Sequence, residues 1–419
     1  MPKYGIKRPK VSKDKKALLS NFFSLSILQG MNMLLPLVTL PYLVRVLGVE
    51  IFGLVNFALS IIMYFNIIVS FGFELSATRE VSIHREDPKK ISEIFSSVMF
   101  IKLCLLFLSF LTLSFLILTI DTLQSNALLY YATFGVVIGN YIFPTWLFQG
   151  MEKMKYITYV NVFSKIFFTI LIFAVIKNPS DYIYVPVLNA LGIIIGASYA
   201  FWLSFKLFSL RLVIPKTSTI SYELKDSFQF FLSRVANNGS RYFATTIIGL
   251  YFGNLIVGYY TMVEKLFYAF MSLGSVVSQT IYPYMSRTRN ITFLKKVLVT
   301  ITGISLILII PLLYFNQELL QIVFDEYNEM LSLFFVIVFS GAIFAVISTI
   351  LGYPLLAAYG HIKYANNSLI YASIIYMLYT VIAVFVTKDI YIVVFAIPVY
   401  MVTGLGFRIY YVFKTKLMN

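Results

Sequence analysis

The sequence predicts an all-α integral membrane protein with about twelve transmembrane helices, arranged as two six-helix bundles. Hydrophobic residues make up 59% of the 419 residues and charged residues only 12%, whereas a soluble domain carries about 25% charged residues. The apolar residues fall into long segments, and the basic residues fall into alternate loops between them. A chain this apolar has too little polar surface to cover a water-soluble core.

Each long apolar segment reaches the length that a helix needs to cross the hydrocarbon core of a bilayer, about 20 residues. Short polar segments separate most of them, and the longest loop on the side opposite the termini, residues 317–329, is acidic and predicts one short surface helix. The predicted spans are 17–47, 51–73, 94–120, 126–150, 156–176, 182–207, 227–252, 255–284, 293–316, 330–358, 364–387 and 390–413.

The loop cations predict the orientation of these spans, because loops rich in Lys and Arg stay in the cytoplasm. Placing the N-terminus there puts 25 Lys and Arg residues on the cytoplasmic side and two, Lys177 and Lys388, on the other. Both termini are therefore expected in the cytoplasm. The predicted segments are a basic N-terminal segment 1–16, a first bundle 17–209, a cytoplasmic linker 210–226, a second bundle 227–413 and a cytoplasmic tail 414–419.

The other residue types give no support to nucleic-acid binding or to a metal or cofactor site. The net charge of +15 sits in short loops and at the chain ends, and no nucleic-acid-binding motif accompanies it. Cys104 is the only cysteine, and the two histidines, His84 and His361, fall in predicted polar loops. We therefore expect no nucleic-acid partner, no cofactor, no metal and no catalytic residue.

Two short motifs recur at nearly the same offset and on the same predicted side of the membrane. The agreement in offset, order and side predicts a parallel internal repeat, in which two six-helix bundles flank a central cavity. We expect the repeated glycines and prolines to act at the joints between helices. The motifs are Gly48-x4-Gly53 with Gly253-x4-Gly258, 205 residues apart, and Pro144-x5-Gly150-x2-Lys153 with Pro354-x5-Gly360-x2-Lys363, 210 residues apart.

Charged residues inside the predicted spans are functional candidates, because each costs about 3 kcal/mol or more at the bilayer centre. Arg234 and Arg241 are two helical turns apart, so they are predicted to project from one face that lines a wet cavity. Asn237, Asn238 and Ser240 make the same stretch polar. The candidate substrate-binding cations are Arg45, Lys102, Lys165, Arg234, Arg241 and Lys265, and Glu264 is the candidate coupling or charge-pairing acid.

The excess of cations predicts an anionic cargo, and the planar fork of Arg suits phosphate or carboxylate groups. Structural roles stay open for several members of the set. Arg45 could reach the outer interface with its long side chain, and Lys102 and Lys165 could bind lipid headgroups or helix carbonyls. A neighbouring cation could neutralise Glu264.

Several segments resemble the Wzx-type O-antigen and capsular polysaccharide flippases, in the polysaccharide transporter branch of the MATE-like MOP superfamily. The likeness runs over essentially the whole chain, and the second half matches more by pattern than by motif. The segments are SNFF at 20–23, PYLVRVLGVEIFGLVN at 41–56, FGF at 71–73, ATRE at 77–80 and WLFQGMEKMK at 146–155.

The resemblance implies a MATE-like flippase rather than an enzyme. Such proteins move an undecaprenyl-pyrophosphate-linked oligosaccharide, an O-antigen or capsule repeat unit, from the cytoplasmic to the periplasmic leaflet of the bacterial inner membrane. They are thought to do so by alternating access, without ATP hydrolysis. The resemblance also implies membrane lipids, a polysaccharide polymerase and a chain-length regulator as partners.

Two other functions stay open at this stage. A MATE-like cation or drug antiporter would require several buried acids, whereas Glu264 is the only acid well inside a span. A membrane enzyme of polysaccharide assembly would require a large periplasmic loop or intramembrane histidines. The predicted topology has no such loop, and no predicted span contains a histidine.

Overall fold

The structure is a computed structural model, and it describes residues 30, 35 and 37–417. The predicted segment 1–16, much of the first predicted span before residue 37, and the last two residues of the predicted tail lie outside the described residues. Residues 37–417 contain helices, turns and short connections, and no β-strand. This confirms the all-α class.

Helices α1 to α9 form the first half of the chain. Asp87 caps the start of α4 by accepting from the backbone N–H groups of Lys89 and Lys90, and Pro88 occupies the first helical position, where its missing N–H costs nothing. The bounds are α1 Leu37–Leu47, α2 Val49–Ser70, α3 Phe73–Ile83, α4 Pro88–Thr119, α5 Asp121–Gln124, α6 Ala127–Ile142, α7 Thr145–Gly150, α8 Met154–Val175 and α9 Tyr184–Phe208.

Helices α10 to α19 form the second half. Several of them continue through π-helical segments, in which each turn holds an extra residue. These segments are Val235–Gly239, Leu351–Ala357 and Ala383–Thr387. The α-helices are α10 Thr217–Arg234, α11 Ser240–Phe252, α12 Asn254–Thr288, α13 Ile291–Tyr314, α14 Asn316–Phe324, α15 Glu329–Ser340, α16 Ala342–Ile350, α17 Ile362–Ile382, α18 Ile390–Val394 and α19 Ala396–Lys414.

Within the described residues, nine helical segments are long and apolar enough to cross a membrane, which confirms a multi-pass protein. The predicted spans 227–252 and 255–284, which contain Arg234, Arg241, Glu264 and Lys265, are not among the nine. The exact number of twelve crossings stays a prediction. The nine segments are Val49–Ile83, Pro88–Thr119, Ala127–Gly150, Met154–Val175, Pro179–Phe208, Ile291–Tyr314, Glu329–Ala357, Ile362–Thr387 and Ile390–Lys414.

The first repeated motif folds in the same way in both halves. Gly48 precedes α2 with a φ of 78°, and Gly253 precedes α12 with a φ of 85°. Both angles lie in the region that residues with a Cβ rarely adopt, so each turn favours glycine. We call the face with these two turns the outer face, after the predicted topology, and the opposite face the inner face.

The second glycine of each motif brings the two halves into contact at the outer face. A Cβ on Gly53 of α2 would overlap the backbone oxygen of Asn254 at the start of α12. A Cβ on Gly258 of α12 would overlap the backbone oxygen of Val49 at the start of α2. Small residues allow this close approach of two helix backbones. We call this crossing of α2 and α12 the outer contact.

The second repeated motif matches less well than the sequence indicates. The turn in the first half has its positive φ at Glu152 (57°), and the turn in the second half has it at Gly360 (93°). The N–H group of the residue that follows donates to the carbonyl oxygen five residues back in both turns. These hydrogen bonds, Lys153 to Phe148 and His361 to Leu356, are each 2.8 Å long. Glu152 is therefore the counterpart of Gly360, and the predicted pairing of Gly150 with Gly360 is wrong by two residues. The π-helix Leu351–Ala357 changes the residue count in the second half.

Candidate functional site in a charged central cavity

A cavity of about 800 Å³ lies between the two halves. Its walls come from α1, α2, α6, α8 and α9 of the first half and from α11 and α12 of the second. A volume of this size is within the range of small-molecule and cofactor sites. A ligand in this cavity would contact both halves at once.

Four charged side chains line this cavity, and all four were candidates from the sequence. Lys165 projects from α8, Arg241 from α11, and Glu264 and Lys265 from α12. The three cations and one acid give the lining a formal charge of +2. Glu264 interacts electrostatically with Arg241 and Lys265, so it offsets part of the positive charge.

Lys265 connects the two halves across the cavity. Its Nζ donates to Oδ1 of Asn56 on α2 at 2.7 Å and lies 5.2 Å from the centre of the Phe52 ring. The amide Nδ2 of Asn56 donates in turn to the Phe52 backbone oxygen at 2.7 Å. Asn56 thus has a fixed orientation that presents its oxygen to the ammonium group. Asn56 ends the segment 41–56 that resembles the flippases, but sequence analysis gave it no role in the site, although an Asn in an apolar span is a signal of such a role.

Arg241 lies against an aromatic wall. Its guanidinium carbon is 4.9 Å from the centre of the Tyr268 ring on α12, a distance typical of cation–π contact. Tyr268 also lines the cavity. A guanidinium held beside a ring can still donate through its N–H groups to an anion.

Arg45 lies outside the cavity lining. Its guanidinium donates to the backbone oxygens of Ile322 and Val323 at 2.8 and 3.0 Å. These carbonyls are in the last turn of α14, the short helix predicted in the outer loop, where a cation is favourable because the helix dipole is negative there. Arg45 therefore fastens the end of α1 to the outer loop of the second half.

Lys102 has a different environment from the cavity cations, because it is buried inside the first half. Its Nζ donates to the backbone oxygens of Asn140 and Tyr141, each at 3.3 Å. These two carbonyls end α6. Pro144 has no N–H, so the usual intrahelical donor to the Asn140 oxygen is missing. The Lys102 ammonium group replaces this donor and satisfies the carbonyl oxygens at the break between α6 and α7.

The structure separates Arg234 from Arg241, and the predicted single face is wrong. Arg234 ends α10 and pairs with Glu74 at the start of α3, with 2.7 Å between the charged atoms. Arg241 lines the cavity. The π-helix Val235–Gly239 lies between them. Its wider turn changes the angle between the two side chains, so a spacing of seven residues no longer returns to the same face.

The predicted polar lining of the same stretch is not part of the described cavity wall. Ser240 is buried and donates to the Ser373 hydroxyl of α17 at 3.3 Å. Asn238 is half-buried and is not among the described lining residues. The side chain of Asn237 lies outside the described part of the structure.

Sequence analysis missed one buried cation, Arg408, which it counted with the cytoplasmic residues. Arg408 on α19 is only 5% exposed and donates to the backbone and hydroxyl oxygens of Ser348 and to the Ser368 hydroxyl. Its guanidinium also lies directly against Gly352. The signal was its position inside the predicted span 390–413. Arg408 links α19 to α16 and α17 through these hydrogen bonds.

Among the described residues, no group of three His, Cys, Asp or Glu side chains could hold a metal ion. The charged groups that line the cavity offer charge and hydrogen bonding. Lys265 is held by Asn56 and Arg241 lies against the Tyr268 ring, and the acid Glu264 interacts with both cations. This arrangement is suited to reversible binding of an anion.

Residues 18–289, well over half of the chain, match the family described as "Polysaccharide biosynthesis protein". The chain is also 29% identical over 297 residues to the "Putative O-antigen transporter" of Escherichia coli (strain K12), covering 70% of this chain and 72% of that protein. A protein of the same description from Shigella dysenteriae is 27% identical over 278 residues, covering 66% and 69% of the two chains.

Two solved structures share the fold. The lipid II flippase MurJ in an inward closed conformation has a TM-score of 0.69 at 16% identity, covering 96% of this chain and 87% of its own. A multidrug resistance MATE family transporter of the MOP superfamily in an inward-facing conformation has a TM-score of 0.64 at 14% identity, covering 95% and 98%. They show that this chain has a MATE-like fold. The chain therefore belongs to the polysaccharide biosynthesis protein family and is a membrane transporter of that family, not an enzyme.

Proposed function

We propose that this transporter is a flippase for an undecaprenyl-pyrophosphate-linked oligosaccharide, an O-antigen or capsule repeat unit. It would carry the glycan from the cytoplasmic to the periplasmic leaflet of the bacterial inner membrane, with both termini in the cytoplasm. The lipid-linked glycan and the surrounding lipids are its direct partners. A polysaccharide polymerase and a chain-length regulator act on the same glycan afterwards.

The observation that carries this proposal is the convergence of Lys165, Arg241 and Lys265 in one cavity between the halves. In a low-dielectric cavity, an excess of positive charge attracts an anion strongly. The pyrophosphate of the cargo supplies that negative charge, and the prenyl chain stays in the bilayer. The relatives from Escherichia coli and Shigella dysenteriae are each described as a "Putative O-antigen transporter".

Alternating access fits the way the halves meet. The outer contact at Gly53 and Gly258 joins α2 and α12, and Lys265 bonds to Asn56 between the same two helices. Opening to the outer face would require both contacts to separate. An anion that binds Lys265 would compete with Asn56, so cargo binding itself would weaken the outer contact.

The proposal is tested by Arg241→Ala and Arg241→Lys in a strain that lacks the chromosomal copy. Arg241→Ala should lower substrate binding about 10- to 100-fold, the effect of losing a charge-assisted hydrogen bond. Surface glycan should disappear and the lipid-linked glycan should accumulate on the cytoplasmic side. Arg241→Lys should restore part of the activity, since it keeps the charge and loses the fork.

Arg287→Ala is the matched control, because Arg287 is an exposed cation at the end of α12 on the inner face. It should leave surface glycan unchanged, with equal protein in the membrane for every variant. Normal surface glycan in Arg241→Ala cells would overturn the assignment of this residue. Cation or drug efflux by the wild-type protein without glycan transfer would favour the antiporter instead.

A further inference from the structure

The inner ends of the two halves also touch, through α3 of the first half and α10 of the second. A Cβ on Gly72 would lie 2.7 Å from the backbone nitrogen of Phe231. The hydroxyls of Ser76 and Ser227 are 2.7 Å apart, and the rings of Phe71 and Phe231 stack with 4.8 Å between their centres. We call this packing of α3 on α10 the inner contact.

Charged groups cluster at the cytoplasmic end of the inner contact. Arg79 of α3 donates to both carboxylate oxygens of Asp226 on α10 at 2.9 Å. The same guanidinium donates to Glu80 at 3.1 Å. The Tyr222 hydroxyl of α10 donates to Glu80 at 3.3 Å. One cation thus serves two carboxylates that come from opposite halves.

Glu223 is a third carboxyl group in this cluster, and it is almost completely buried. It is 1% exposed, and its Oε2 atom has no hydrogen-bond partner among the described residues. Arg79, a nearby cation, is already bound to Glu80 and Asp226. An ionised carboxylate at Glu223 would therefore be buried beside two acids without a cation of its own, which is costly.

Lys90 at the start of α4 does not remove this cost. It lies near enough to favour the charged form of Glu223, but its Nζ is bound to Glu93 at 3.2 Å. Burial, together with the negative charges of Glu80 and Asp226, raises the pKa of Glu223 to about 7. The carboxyl group therefore titrates close to cytoplasmic pH.

We propose that Glu223 is a proton-binding site at the junction of the two halves, and that losing this proton loosens the inner contact. The neutral carboxylic acid is tolerated inside the contact, whereas the carboxylate is desolvated and repelled by Glu80 and Asp226. When α3 and α10 separate, water reaches Glu223 and the proton leaves. The conformation of the transporter is then linked to proton binding on its inner face.

The direction of the linkage follows from the raised pKa. The closed inner contact holds the proton more tightly than the separated form, so its stability is complete at low pH and is lost as the pH rises through about 7. Against the ordinary pKa of 4.5, the difference changes the equilibrium by on the order of 100-fold. The ionisable groups that face Glu223 or its immediate partners are Glu80, Asp226, Arg79, Lys90, Glu93, Tyr222 and His84.

The test measures the distance across the inner contact by double electron–electron resonance, with the full chain in lipid nanodiscs. Spin labels go on Ile83→Cys of α3 and Ser218→Cys of α10, both exposed, in a Cys104→Ser background. The wild-type distance should lengthen as the pH rises from 4.5 to 8.5, with the change falling between the ordinary pKa of 4.5 and the raised pKa of about 7. Glu223→Gln, a neutral group of the same shape, should keep the short distance at every pH.

Two further variants keep the result interpretable. Glu80→Gln removes a neighbouring negative charge, so it should lower the pKa of Glu223 in the closed form and reduce the pH-dependent lengthening. Glu329→Gln, an exposed acid at the start of α15 on the outer face, should leave the wild-type titration intact. A distance that does not depend on pH in the wild type, or an unchanged titration in Glu223→Gln, overturns the proposal. No substrate is present in this experiment, so its outcome is independent of the flippase proposal.

Discussion

Gly53 of α2 and Gly258 of α12 lie so close that a Cβ on Gly53 would be 2.6 Å from the backbone nitrogen of Gly258. The two residues are the second glycines of the repeated motif, so the internal repeat forms the outer contact with itself. Both positions are helical, and glycine costs about 1 kcal/mol in a helix relative to alanine. The close approach accounts for glycine at both positions.

Gly53→Ala should therefore push α2 and α12 apart at the outer face. The added methyl group would overlap the backbone of Asn254, which cannot move aside as a flexible side chain would. We expect the outer-open form to gain population at the expense of the form described here. A cysteine at the exposed residue Tyr251, near the outer end of α11, should react faster with a membrane-impermeant thiol reagent in the Gly53→Ala background.

Gly274→Ala is the matched control for this prediction. Gly274 is on the same helix as Gly258, and nothing lies within 4 Å of the position that its Cβ would occupy. The substitution should slightly stabilise α12 and leave the labelling rate unchanged. Equal labelling in the Gly53→Ala and Gly274→Ala proteins would show that the glycine crossing does not hold the outer face closed.

A second prediction concerns Lys102, which satisfies the carbonyls at the end of α6. Lys102→Met should leave the Asn140 and Tyr141 oxygens without a donor inside the membrane, at a cost of about 1–3 kcal/mol. Thermal unfolding of the purified protein should occur at a lower temperature. Lys102→Arg should retain most of the stability, because the guanidinium can donate to both oxygens.

The Pro144→Ala background tests whether Lys102 replaces the N–H group that Pro144 lacks. Alanine restores the backbone N–H that can donate to the Asn140 oxygen, so Lys102→Met should cost less stability in this background than in the wild type. The interaction energy of the double-mutant cycle is the measured quantity. If the two substitutions had additive effects on stability, and the Lys102→Met protein were stable but inactive, Lys102 would instead be assigned to substrate binding.

The cavity shows how far the sequence alone can predict such a protein. Apolar length and loop charge predict the class, and charge inside a span finds Lys165, Arg241 and Lys265, because each is a departure from an apolar background. The sequence cannot tell Lys165, which lines the cavity, from Lys102, which caps a broken helix. That difference depends on which helices pack together.

Helix geometry sets a second limit. The angle between Arg234 and Arg241 was predicted from a regular α-helix, and the π-helix between them changes it. Its residues, VANNG, include no proline, so the sequence has no plain signal for it. Arg408 was missed because a signal that was present pointed to the wrong environment. It lies near a basic terminus, where charge normally indicates a solvent-exposed end, although its partners Ser348 and Ser368 bury it.

The third prediction separates Arg234 from Arg241 experimentally. Arg234 is partly exposed and pairs with Glu74, and such an ion pair contributes about 0–1 kcal/mol. Arg234→Ala should therefore reduce surface glycan only slightly, whereas Arg241→Ala should abolish it. Glu74→Gln breaks the same ion pair and should match Arg234→Ala in surface glycan and in thermal unfolding. If Arg234→Ala abolished surface glycan while Glu74→Gln left it normal, Arg234 would bind the cargo directly, in a conformation where its side chain has left Glu74.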